Sequence, residues 1–93
     1  MENIKKILIE RGYPENAATV VSKKLSNLSG QLREAASSWL DSGYEPIVSS
    51  HGHSTKSLME KLPGMKYPAA LLTIDWLERD PEKAIIAIEK GIR

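Results

Sequence analysis

The chain has 93 residues, 41% of them hydrophobic and 27% charged, with a formal net charge of +1; this size suits one compact domain or two very small ones, and no segment approaches the roughly 20 apolar residues of a membrane span. Cysteine is absent, which excludes disulfides, thiolate zinc sites and a cysteine nucleophile, so stability must come from packing. The near-neutral balance, shared by both halves, argues against a broad phosphate-binding face, and the start Met1-Glu2-Asn3-Ile4-Lys5-Lys6 lacks a signal-peptide apolar run, which makes a cytoplasmic setting the expectation.

In chain order, Ile4, Ile7 and Leu8 stand at i, i+3, i+4 ahead of Glu10-Arg11 and Gly12, predicting a first helix of about two and a half turns closed by a left-handed glycine. Pro14 suits the first turn of the next helix, where no amide donor is needed, and Ala18, Val21, Leu25 and Leu28 give that helix an apolar stripe. Ser29-Gly30 interrupts the stripe and offers a serine cap; Leu32, Ala36, Trp39 and Leu40 then keep helical spacing to a stop at Ser42-Gly43. The expected core of this half is Ile4, Ile7, Leu8, Val21, Leu25, Leu28, Leu32, Ala36, Trp39 and Leu40.

Residues 44–53 contain Pro46, Gly52 and the polar run Ser49-Ser50-His51 without helical period, and read as a linker. Ile47-Val48 is its strand-like pair, a candidate short edge strand. Ser54 is placed to cap a helix through Leu58, Met59 and Leu62, which Pro63-Gly64 ends. Tyr67-Pro68 restarts the chain as a helix with Ala70, Leu71, Ile74 and Leu77 on one face, and Asp80-Pro81 opens the last helix, whose face is Ala84, Ile85, Ile88 and Ile92.

One phrase recurs: Gly12-Tyr13-Pro14 with Trp39-Leu40-Asp41, and Gly64 and Tyr67-Pro68 with Trp76-Leu77-Glu78. Trp39 falls at the end of a third helix whereas Trp76 falls within a middle one, so the copies are not positionally equivalent. The pattern as a whole predicts an all-α protein of six short helices in two three-helix bundles, 1–43 and 54–93, joined by 44–53. Pieces of about 40 residues bury too little surface to be robust alone, so the bundles are expected to pack together or to dimerise.

These residues resemble the ubiquitin-associated (UBA) superfamily of three-helix bundles, which includes the N-terminal domain of translation elongation factor Ts. Gly12-Tyr13-Pro14 resembles the Gly-Phe/Tyr loop after that family's first helix, and Ala35-Ala36-Ser37-Ser38-Trp39-Leu40 its third helix. Gly64-Met65, Asp80-Pro81-Glu82-Lys83-Ala84-Ile85 and Glu89-Lys90-Gly91-Ile92 look like the elongation-factor variant. Arg11 stands where ubiquitin-binding members usually carry Met. The resemblance implies tandem UBA-like bundles and leaves the ligand open.

The helix beginning at Tyr67 carries a second apolar face, Ala69, Leu72 and Trp76. A helix apolar on both sides is either central in a fold or displayed to a partner. Leu72 and Trp76 are therefore candidates to close the contact between the bundles or to anchor a protein partner or a second copy, with Trp76 as the aromatic anchor. Tyr13 is a second candidate contact, together with Leu40, unless it packs back on its own helix as a staple.

His51-Gly52-His53 has no thiolate and only Glu45 as a nearby acid, so no metal site and no cofactor are expected. Ser49-Ser50-His51 has the residue types of a nucleophile and a base, but adjacent and without a glycine-flanked elbow. Asp75, Glu78, Asp80, Glu82 and Glu89 fall at caps and surface positions, and a Gly-rich phosphate loop is lacking. Both halves also parse as helix-turn-helix, with Lys23, Lys24 and Arg33 as the nucleic-acid contacts, yet among Gln31, Arg33 and Glu34 one second helix has a single cation and the other has no base-reading side chain before Arg79. The expectation is a non-catalytic interaction adaptor or regulatory subunit, the alternative a nucleic-acid-binding regulator.

Overall fold

The structure, a computed structural model, describes residues 3–91. Within them lie six helices, α1 (Ile4–Glu10), α2 (Glu15–Ser26), α3 (Gly30–Ser42), α4 (Thr55–Lys61), α5 (Tyr67–Arg79) and α6 (Pro81–Glu89), and two short strands, β1 (Ser49–Ser50) and β2 (His53–Ser54). The all-α class read from the periodicity is therefore observed. No helix among the described residues is long and apolar enough to cross a membrane.

The caps show why the helices begin and end where they do. Asn3 accepts a hydrogen bond from the Lys6 amide at 3.1 Å, and Asp80 accepts one from the Lys83 amide. Ser54 and Ser57 bond reciprocally at 3.0 and 2.9 Å, a capping box built from two serines. Gly43, with φ 81°, ends α3 in the left-handed region and donates its amide to the Trp39 carbonyl at 2.8 Å. Pro14 departs from expectation: at φ −64° and ψ 156° it is extended and precedes α2 as its N-cap, without entering the first turn.

The strand also lies elsewhere than expected. Ile47 is 62% exposed and unpaired in the sheet, while Ser49 and Ser50 pair antiparallel with Ser54 and His53. The two residues between the strands, His51 and Gly52, have φ of 49° and 81°. Positive φ at both positions is the requirement of a tight type I′ hairpin turn, so the turn sets the strand position and not the β-propensity of Ile47-Val48. Val48 instead buries its side chain and exchanges hydrogen bonds with Thr55: its amide donates to Oγ1 at 3.2 Å and its carbonyl accepts from the Thr55 amide at 2.8 Å. The linker segment 44–53 thus contains β1, the turn and His53 of β2, together with a core residue.

Helix α5 is the centre of the fold and packs against α2, α3, α4, α6 and the hairpin. Its predicted face, Ala70, Leu71, Ile74 and Leu77, is at most 1% exposed, and Tyr67 and Thr73 are buried with it. Around it lie Leu8, Ala18, Leu25, Leu28, Leu32, Ala35, Ala36 and Trp39 from the first half and Leu58, Ala84 and Ile88 from the second, in one contiguous cluster. Of the expected core, Val21 and Leu40 are only partly buried against this cluster and Ile7 is half-buried. The expected Ile92 of the last helix lies outside the described residues. The radius of gyration, 12.6 Å, is that of one compact body of this length, roughly 12 Å.

Tyr67 contacts both the first half and the linker. The rings of Trp39 and Tyr67 have centroids 6.3 Å apart at 30°, and the Tyr67 hydroxyl donates to the Pro46 carbonyl at 2.6 Å. Burial, followed by the nearby charges of Glu45 and Tyr44, raises the Tyr67 phenol above its ordinary 10.0 to about 12.

Candidate functional site

Helix α5 cannot hide both of its apolar faces. The Leu71–Leu77 side fills the core, which leaves Leu72 and Trp76, one turn apart, on the flank that faces the end of α2. Both are half-buried, resting on the core at one side and open at the other. With Thr73, Asp75 and Arg79 of α5, and Lys24 and Asn27 from the end of α2, they line an open cleft of about 640 Å³. Leu72 and Trp76 thus lie beside the end of α2 and still present surface.

The polar groups of the cleft have defined states. Arg79 Nε donates to Asp75 Oδ2 at 2.9 Å across one helical turn. The Thr73 hydroxyl donates to the Ala69 carbonyl at 2.8 Å and is thereby turned along its own helix. Lys24 stands in the last turn of α2, where its charge complements the helix dipole. It forms no ion pair among the described residues.

The other expected contacts are distributed differently. Tyr13 is half-buried, with the Lys66 ammonium 4.6 Å from its ring centroid. Burial raises its hydroxyl pKa. Lys66, which precedes α5, thus lays its side-chain charge over the ring. Leu40 lines a separate hollow of about 110 Å³ with Ile4, Leu25, Arg33, Ala36 and Asp41. Arg33 lies in that hollow and its Nη1 donates to the Ser26 carbonyl at 3.3 Å. Of the three proposed nucleic-acid contacts, Lys24 therefore faces the α2–α5 cleft, Arg33 is occupied at the Leu40 hollow, and Lys23 is exposed on α2.

A cluster that sequence spacing did not show joins the hairpin to α5. The Ser50 hydroxyl donates to Glu78 Oε2 and lies 2.7 Å from His51 Nδ1. A hydroxyl has one proton; with it directed to Glu78, Nδ1 must meet the serine oxygen as a donor. The serine thus stands between acid and imidazole, the reverse of an arrangement in which the imidazole activates the nucleophile. What the cluster does physically is pin the hairpin tip to the helix. Among the described residues no group of three or more His, Asp or Glu side chains is gathered to hold a metal.

Lys24 and Asn27 lie some fifty residues from Trp76 in the chain, and no local signal joins them; only the packing of α2 on α5 does. No family model, curated protein or solved structure matches the chain.

Proposed function

We propose that the protein is a non-catalytic interaction adaptor or regulatory subunit, acting in the cytoplasm, whose partner docks in the α2–α5 cleft. The observation that carries this reading is Trp76, half-buried on a rigid helix beside Leu72 and open to a cleft of about 640 Å³. Aromatic side chains held in this way are the usual anchors of interfaces, because they bury a large area at little cost in rotamer freedom. Helix-in-groove docking suits a floor made of residues one turn apart. The resemblance of the two halves to UBA-like bundles, a superfamily with protein-binding members, supports the same reading.

Affinity capture from a native extract tests it, with wild-type protein and Trp76→Ala side by side and a nuclease-treated sample of each. Protein partners that survive nuclease and are lost with Trp76→Ala, while the variant keeps its helical circular dichroism, are the expected result. Capture that is unchanged by the substitution overturns the reading. Capture that vanishes with nuclease favours the nucleic-acid regulator instead, with Lys23, Lys24 and Arg33 as its contacts.

A further inference from the structure

The hydrogen-bonding character of the cleft is one-sided. Among the described residues Lys24 forms no ion pair, and Arg79 commits only Nε, to Asp75, so that its remaining guanidinium N–H groups have no partner there. The Trp76 indole N–H and the Asn27 side-chain amide have no hydrogen-bond partner among the described residues, yet neither is buried without one. Acceptors are scarce by comparison. Asp75, the one carboxylate lining the cleft among the described residues, accepts from Arg79 at Oδ2 and keeps Oδ1, and Asn27 and Thr73 add one oxygen each, fewer sites than the N–H groups of Lys24, Arg79, Trp76 and Asn27 supply. Glu78, the next acid along α5, is tied to Ser50 at the hairpin.

A surface with an apolar floor, surplus donors and one uncompensated positive charge complements an occupant that brings an apolar side chain and a carboxylate. Resting on the docking role, we propose that the segment of the partner seated in this cleft is acidic: an apolar residue packs on Leu72 and Trp76 while a neighbouring Asp or Glu accepts from Lys24 and Arg79. Such charge-assisted pairs fix orientation and raise the association rate. A volume of about 640 Å³ accommodates one large side chain with its charged neighbour, since drug-sized ligands occupy pockets of roughly 300–1,000 Å³. A nucleic-acid strand is the poorer fit, because stacking platforms line a continuous cationic track, whereas here Asp75 shares the cleft with the two cations and pairs with one of them, and Arg33 lines another hollow.

The test is selection of random peptides displayed on phage against the full chain. Selected peptides are synthesised and titrated against wild type, Trp76→Ala, Lys24→Gln and Lys24→Glu, with single-stranded and duplex DNA of mixed sequence as separate probes. The expected peptides pair an acid with Leu, Phe, Met or Trp; they lose about tenfold or more in affinity on Trp76→Ala and several-fold on Lys24→Glu, and they weaken with salt. Lys24 is exposed on α2, so Lys24→Gln and Lys24→Glu are expected to keep the wild-type circular dichroism, with the unfolding midpoint lowered slightly, and more by Glu than by Gln, through the lost charge at the helix end. Peptides that depend on Trp76 but are neutral or basic, and indifferent to Lys24→Glu, overturn the acidic specificity and leave the docking role standing. Peptides that bind Trp76→Ala as well as wild type, or no enrichment over an unrelated control protein, overturn both. DNA binding that Lys24→Glu abolishes, with no acidic peptide selected, also overturns the proposal.

Discussion

The Arg11 guanidinium lies 4.5 Å from the centroid of the Trp39 ring, and its Nη2 donates to the Leu40 carbonyl at 3.0 Å. One side chain from just beyond α1 therefore covers the aromatic face at the end of α3 and satisfies a carbonyl of the last turn that the helix leaves without an amide. Trp39 in turn meets Tyr67, so the arrangement extends from α1 through α3 to the start of α5. Arg11→Ala is expected to lower stability by about 1 kcal/mol, with Arg11→Lys falling between it and wild type. Chemical denaturation measures both; equal stability of all three proteins would show the contact to be energetically idle.

The two faces of α5 should respond differently to truncation. Leu77 is fully buried, and Leu77→Ala is expected to cost roughly 2–5 kcal/mol through lost burial and the cavity left behind. Trp76→Ala, at a half-open position, should cost no more than about 1–2 kcal/mol despite the larger side chain. A loss at Trp76 matching that at Leu77 in urea denaturation would place the indole in the core and remove it as a docking anchor.

Tyr67 gives the protein an alkaline limit. Its phenol titrates near 12 when folded and nearer 10.0 when unfolded, so the unfolded chain gives up this proton more readily. The associated stability is whole below pH 10 and is lost as pH rises through about 12, on the order of 2 kcal/mol from this group. Tyr67→Phe should lower stability at neutral pH by about 1 kcal/mol, since the Pro46 carbonyl loses its donor. It should also flatten the decline between pH 10 and 12, which pH-dependent unfolding followed by circular dichroism would reveal.

The hairpin turn makes a paired prediction. His51 adopts a positive φ that Asn tolerates better, and Asn-Gly is the preferred type I′ pair, so His51→Asn is expected to be neutral or to stabilise by about 0.5 kcal/mol. Gly52→Ala meets no atom within 4 Å of the added Cβ but is held at φ 81°, and is expected to cost about 1 kcal/mol from backbone strain alone. Thermal melts of the two variants should move in opposite directions or differ by several degrees; a Gly52→Ala melt at the wild-type temperature would show the turn to be a different one.

The helices were legible because each carries its own local signals. Ser54 and Asp80 sit where caps are needed, although Ser29, also read as a cap, precedes α3 without a side-chain cap bond; Gly43 stands where the chain must turn left-handed, and Ala70, Leu71, Ile74 and Leu77 share a face by spacing alone. The β-hairpin was not, because its determinant is the backbone geometry of His51-Gly52, which no pattern of apolar residues marks, and the propensity of Ile47-Val48 was overridden when Val48 turned into the core. Of the candidate site, Leu72 and Trp76 could be named from the surplus apolar face of α5. The donors around them could not, since Lys24 and Asn27 reach the cleft only through the packing of α2.

The repeated Tyr-Pro and Trp-Leu phrase shows the same division. By itself the sequence determined the class of structure, the extent of most helices and the inward face of α5, all of which follow from interactions spanning a few residues. Only the tertiary structure decided that Trp39 meets Tyr67 in the interior while Trp76 remains half-open, and that Arg11, Lys66 and Lys24 find an aromatic ring, a second ring and a cleft respectively. Those outcomes depend on how helices distant in the chain cross one another, and the crossing is fixed by the shapes of both packed surfaces together, which neither segment encodes alone.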